Sequence, residues 1–160
     1  MTLRRPLLAL AAMALLAGAP VARAADYGGS TNTAAADKLA PARTQLAAKN
    51  YTGALAELRR VNDAQSADWN NLMGFALRKA PQPDLAAAER HYAEALRIDP
   101  RHKSALEYSG ELSLMKGDLP TAEQRLAALE KVCFVTCSEK RDLAKAIEAY
   151  KTNGNRYTPS

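Results

Sequence analysis

From about position 37 onward, apolar residues recur three, four and seven places apart. That spacing puts one stripe along a helix rather than one face on a strand. The clearest case is near the C-terminus, where Leu143, Ala146, Ile147 and Tyr150 stand at i, i+3, i+4 and i+7 with charged residues on the opposite side. The pattern predicts seven helices, over 37–48, 51–63, 67–79, 84–97, 102–115, 118–132 and 139–151. Punctuation agrees with these limits. Ala80-Pro81-Gln82-Pro83 predicts a stiff, longer turn, and Pro100 ends the fourth helix. Gly117 suits the left-handed residue after a helix, and Asp118 is placed to cap the next one.

A second, longer period lies over the first. Ala54, Ala88 and Ala122 are 34 residues apart. Leu58, Tyr92 and Leu126 follow four positions later, and Val61, Ala95 and Leu129 seven positions later. Tyr51, Leu85 and Leu119 stand three positions earlier, preceded by Asn50, Asp84 and Asp118. Several columns with one spacing mark an internal repeat. Ala42, Gly74 and Gly110 supply a small residue in the preceding helix of each unit, where a neighbouring helix must come close.

On these residues the chain resembles the tetratricopeptide repeat, a 34-residue pair of antiparallel helices. The second unit carries the pattern best, with Gly74, Ala88, Tyr92, Ala95 and Pro100; the third has Gly110, Gly117, Asp118, Ala122 and Leu129. The first unit departs from it, with Ala42 in place of glycine and no closing proline. Gly74 to Gly110 is 36 residues, so two extra residues fall near Pro81 and Pro83. The resemblance covers roughly 37–132 and implies an all-α fold: about three stacked helix-turn-helix units in a right-handed superhelix. The last helix would be the C-terminal cap, giving a domain over 37–151.

The resemblance also implies a concave groove lined by the first helix of each unit, which takes an extended or helical peptide. Position by position, the groove candidates are Asn71, Phe75 and Arg78 in the second unit, and Ser104, Glu107, Glu111 and Leu114 in the third. Leu39, Arg43 and Leu46 hold the same places in the first. Phe75 is the anchor candidate, because an aromatic on an open helical face contributes most to binding. One subtype of the family grips a C-terminal carboxylate with Lys and Asn; Leu39, Arg43, Leu72, Ser104 and Tyr108 stand at those positions, so that clamp is not matched.

The ends of the chain read differently. Arg4 and Arg5, an apolar run from Leu7 to Leu16, a Gly18/Pro20 break and Ala22-Arg23-Ala24 follow the three-part layout of a signal peptide over 1–24. The run is short for a bilayer span. The expectation is therefore export to the periplasm with no stable membrane span after cleavage, a retained anchor being the alternative. Residues 25–36 read as a flexible leader and 152–160 as a flexible tail. Loss of the leader's three arginines lowers the formal charge from +5 to +2. No long basic run remains, so nucleic acid is not an expected partner.

Candidate chemistry is sparse. Cys133 and Cys137 are the two cysteines, spaced C-x3-C. In an oxidising compartment a disulfide is expected, provided the helix ends near Cys133, since i and i+4 on an intact helix sit too far apart. A metal or thiol-redox role, or free thiols, are the alternatives. His91 and His102 lie on different helices with no ligand at metal spacing and read as surface histidines. Glu107 and Glu111 share a helical face and read as solvated. No hydrolase set, phosphate loop or metalloprotease motif occurs. The expectation is a binding module for another protein or peptide, with no catalytic residue, cofactor or metal. A small metal or thiol carrier is the alternative, and the partner and the oligomeric state stay open.

Overall fold

The computed structural model describes residues 37–135 and 137–157. The signal peptide expected at 1–24, the leader at 25–36 and the last three residues of the tail lie outside them. The described residues form seven α-helices and no strand: α1 Ala40–Ala47, α2 Tyr51–Val61, α3 Ala67–Lys79, α4 Leu85–Ile98, α5 Lys103–Met115, α6 Leu119–Val132 and α7 Ser138–Thr152. The fold is all-α.

Helix starts follow from local chemistry. The side chains of Asn50, Asp84 and Asp118 accept hydrogen bonds from the backbone N–H of Gly53, Ala87 and Thr121 at 3.0, 2.8 and 3.1 Å. These three caps sit 34 residues apart, one before each of α2, α4 and α6. Each satisfies an N–H that the helix cannot, a gain of about 1 kcal/mol. Ser66 caps α3 in the same way, through Trp69 N at 3.2 Å. Between α5 and α6, Gly117 takes φ +79°, and Asp118 N donates to Ser113 O at 2.9 Å, the bond that closes a left-handed helix end.

Most helix limits shift by one to three residues from the sequence reading, and two of the shifts have a clear cause or consequence. The first helix begins at Ala40 rather than 37. Pro41 has no N–H to donate and so belongs in a first turn, and the residues before it form a turn closed by Ala40 N donating to Asp37 O. The last helix starts at Ser138, with Cys137 at the cap position in an extended conformation. Cys133 ends α6, also extended. The two cysteines thus flank the connection, their Cα atoms 5.7 Å apart and their sulfurs at disulfide distance.

Consecutive helices pack on each other, and α1, α3, α5 and α7 also touch in that order. The odd-numbered helices form one row, and the even ones pair with them. Ala42, Ala54, Ala88 and Ala122 are fully buried where helices approach. Leu58 and Tyr92 are also sealed, while Leu126 is half-buried. A Cβ added at Gly74 would meet the Tyr92 ring at 2.7 Å, so α3 and α4 need glycine there. At Gly110 the close neighbour is Leu143 of α7, also at 2.7 Å, so that glycine serves the contact between odd helices. One apolar cluster joins α1, α2 and α3 and includes Trp69, whose Nε1–H donates to Leu58 O at 2.7 Å. Another joins α5, α6 and α7 around Leu129, Leu143 and Tyr150.

Candidate functional site

The row of odd helices carries the candidate groove. At one end Asn71 and Phe75 of α3, Ser104 and Tyr108 of α5, and Arg43 and Leu46 of α1 line a hollow of about 400 Å³. Phe75 is half-buried. Its ring lies 4.8 Å from that of Tyr108 and makes an edge contact with Tyr51 at 6.3 Å. Asn71 is buried, and its Oδ1 has no hydrogen-bond partner among the described residues.

The hollow's rim is held by ion pairs. Arg43 lies 2.9 Å from Asp68 and 3.4 Å from Asp37. Asp68 also meets Nε2 of His102 at 2.9 Å. Burial pushes the Asp68 carboxyl up, but His102 and Arg43 outweigh it and hold the group below its usual value. Nδ1 of His102 accepts from Ala105 N at 3.2 Å, so His102 is the N-cap of α5 and its Nε2 carries the proton given to Asp68. His91 is no surface group either. It stacks edge-on against Trp69 at 5.5 Å and meets Asn70 Oδ1 at 3.0 Å. Burial, aided by Arg90, pushes its pKa down and favours the neutral ring. Both histidines were expected at the surface; both instead hold helices together.

Next to the hollow lies a buried charge cluster. The Arg78 side chain is 1% exposed and sits 2.7 Å from Glu111. Its guanidinium lies over Phe75 at 5.7 Å and Tyr108 at 5.5 Å. Its Nε has no hydrogen-bond partner among the described residues, and the contact to Glu111 is close without being well directed for Nη1. Burial pulls the Arg78 pKa down, but the surrounding Tyr92 and Glu111 outweigh it, and the group stays charged. Glu107, one helical turn before Glu111, is pushed up to about 8, first by burial and then by the charges of Glu111, Asp142 and Glu139. Burial, with Glu107 and Glu111 beside it, pushes the Tyr108 phenol up to about 12.

Glu111 also lines a second hollow of about 280 Å³ between α5, α7 and the tail, with Asp142, Tyr150, Arg156 and Tyr157 among its walls. Of the groove candidates, then, Arg43, Leu46, Asn71, Phe75 and Ser104 share one hollow and Glu111 lines another. Arg78 and Glu107 are buried rather than open to solvent, and the rings of Phe75 and Tyr108 lie against Arg78. Leu39 and Leu114 are core.

No protein-family model and no curated protein matches this chain.

Tyr108, four residues after Ser104 on the same helical face, stood among the groove positions of the unmatched carboxylate clamp. One contributor escaped the sequence reading. Tyr157 belongs to a stretch read only as tail. Asn153-Gly154-Asn155 ahead of it is turn chemistry, the one signal that the chain comes back there. Among the described residues no cluster of histidine, cysteine or carboxylate side chains is arranged to hold a metal, and no helix is long and apolar enough to cross a membrane.

Proposed function

We propose that this chain is an exported, periplasmic binding module of the tetratricopeptide-repeat type, which holds a peptide segment of another protein against α1, α3 and α5 and catalyses no reaction. The observation that carries this reading is the hollow of about 400 Å³ whose walls come from three successive odd helices and include Asn71, Phe75 and Ser104. Its chemistry suits a peptide. Phe75 and Tyr108 offer aromatic surface, and Ser104, Asn71 and Arg43 offer polar groups of both kinds around it. The 34-residue recurrence of caps and buried alanines supports the repeat assignment. The 15 residues of α7, polar on one side and packed through Leu143 and Ile147 on the other, suit a terminal cap. The alternative is a metal or thiol carrier built on Cys133 and Cys137; its metal form is the weaker reading, since sulfurs paired with each other offer no thiolate to a metal.

The test is photo-crosslinking in intact cells from a reactive residue at position 104, repeated in a Phe75→Ala background. A discrete crosslinked protein, lost with Phe75→Ala, is the expected result. A crosslinking pattern indifferent to Phe75, in a variant that keeps its helical circular dichroism, would overturn the groove.

A further inference from the structure

Past the end of α7 the chain turns back instead of leaving. Asn153 ends the helix, Gly154 and Asn155 follow with φ of +64° and +62°, and Asn155 N donates to Tyr150 O at 2.9 Å. That six-to-one bond across a left-handed glycine is a standard way to reverse a chain at a helix end. Asparagine tolerates the second left-handed position better than most residues. The turn delivers Tyr157 onto the apolar cluster of α5, α6 and α7. There it lines the second hollow together with Glu111 and Tyr150, and Arg156 lines the same hollow.

The electrostatics of that corner fit the segment that enters it. Glu111 of α5 and Asp142 and Glu139 of α7 all act on Glu107, with Arg78 the cation that opposes them there. Arg156 adds positive charge beside this acidic group. Burial pushes the Tyr157 phenol up, and the neighbouring Glu111 charge pushes the same way while Arg78 opposes. A neutral hydroxyl, able both to donate and to accept, therefore sits beside a carboxylate and a guanidinium.

We propose that the α5–α7 end of the groove is a subsite for a tyrosine side chain, and that this chain covers it with its own Tyr157, making the tail an internal competitor for such a segment of a partner. The inference rests on the groove reading only for its biological use; the subsite stands on the packing of Tyr157 itself. A tethered ligand competes at the high effective concentration its short linker imposes. An outside peptide is therefore excluded until the tail lets go.

The experiment uses the full-length chain and a capped synthetic peptide with the sequence of residues 153–157, Asn-Gly-Asn-Arg-Tyr. Backbone amide shifts of Glu111 and Tyr150 report on the subsite during titration. Tyr157→Ala chain is expected to respond at peptide concentrations at least about tenfold below those the wild type needs, given the loss of the tethered competitor. A peptide ending in Ala moves neither chain. Gly154→Val, which keeps the tyrosine but strains the left-handed turn, is expected to give a smaller gain of the same sign. Equal responses from wild type and Tyr157→Ala, or no response from a folded Tyr157→Ala chain, would overturn the proposal. The readout is confined to α5 and α7, so failure here leaves capture through Phe75 standing, and failure of that capture leaves this result standing.

Discussion

At the α1–α3–α5 end of the groove, Asn71 keeps its Oδ1 out of solvent with no hydrogen-bond partner among the described residues. Towards the α5–α7 end Arg78 of the same helix, buried to the same degree, meets Glu111 of α5 at 2.7 Å, lies over two aromatic rings and has Tyr157 nearby. The same row of helices supplies both, yet the Arg78 charge is answered by a carboxylate even though its Nε stays without a partner, whereas nothing answers the Asn71 oxygen. A buried polar group that answers another is structural, and its loss destabilises. A buried polar group that answers nothing contributes no stability, and its presence calls for another reason. The tail follows the same division: it closes over the charged end and leaves the end with Asn71 open.

Removing one half of the ion pair tests the charged end most severely. Arg78→Met leaves Glu111 facing Glu107 and Asp142 without the interior cation. Breaking a buried pair from one side costs about 3–5 kcal/mol, and urea unfolding of the variant should show a loss in that range. Adding Glu111→Leu to Arg78→Met should restore most of it, because a well-packed apolar pair can replace an ionic one. If the single variant were as stable as the wild type, the charged end would not be structural.

Glu107 offers a pH test of the same end. Its carboxyl sits at about 8 in the fold against an ordinary value of 4.5. Between those values the folded chain keeps a proton that the unfolded chain has released, so folding is favoured by protons there. The stability attached to Glu107 is fully present below about pH 4.5 and drains away as pH rises towards 8. Glu107→Gln, which mimics the protonated form, should flatten that decline in unfolding experiments run across the window. An unchanged slope would mean that Glu107 is ionised in the fold at neutral pH.

How much of this was legible in the sequence follows from the range of each interaction. The caps at Asn50, Asp84 and Asp118 act over three residues, so their period announced the helices they start. Ala88 and Tyr92 sit a fixed distance from Gly74 within one helical hairpin, and their types told where helices touch. The position rule drawn from the repeat resemblance picked out Asn71, Phe75 and Ser104, which meet in one hollow. It could not tell that Arg78 and Glu107 are buried. Their burial depends on how α5 packs against α3 and α7, contacts between residues far apart in the sequence that leave no local mark. His102 was misread for the opposite reason: its capping role is local, but histidine is an uncommon cap, and Asp68 lies 34 residues away.

The smallest expected effect bears on the open end and decides what Asn71 is for. Replacing a buried polar side chain that has no partner by an apolar one of similar size removes a desolvation penalty and loses no hydrogen bond within the fold. Asn71→Leu should therefore leave stability unchanged or raise it by up to about 1 kcal/mol, whereas the same kind of exchange at Arg78 alone is costly. Read in urea unfolding, a clear loss of stability on Asn71→Leu would show that the amide is structural and would erase the contrast between the two ends. Unchanged or increased stability, together with loss of the protein crosslinked from position 104, would mean that the fold tolerates this amide because binding requires it. The stability left unclaimed at one end of the groove would then measure what ligand recognition costs the fold.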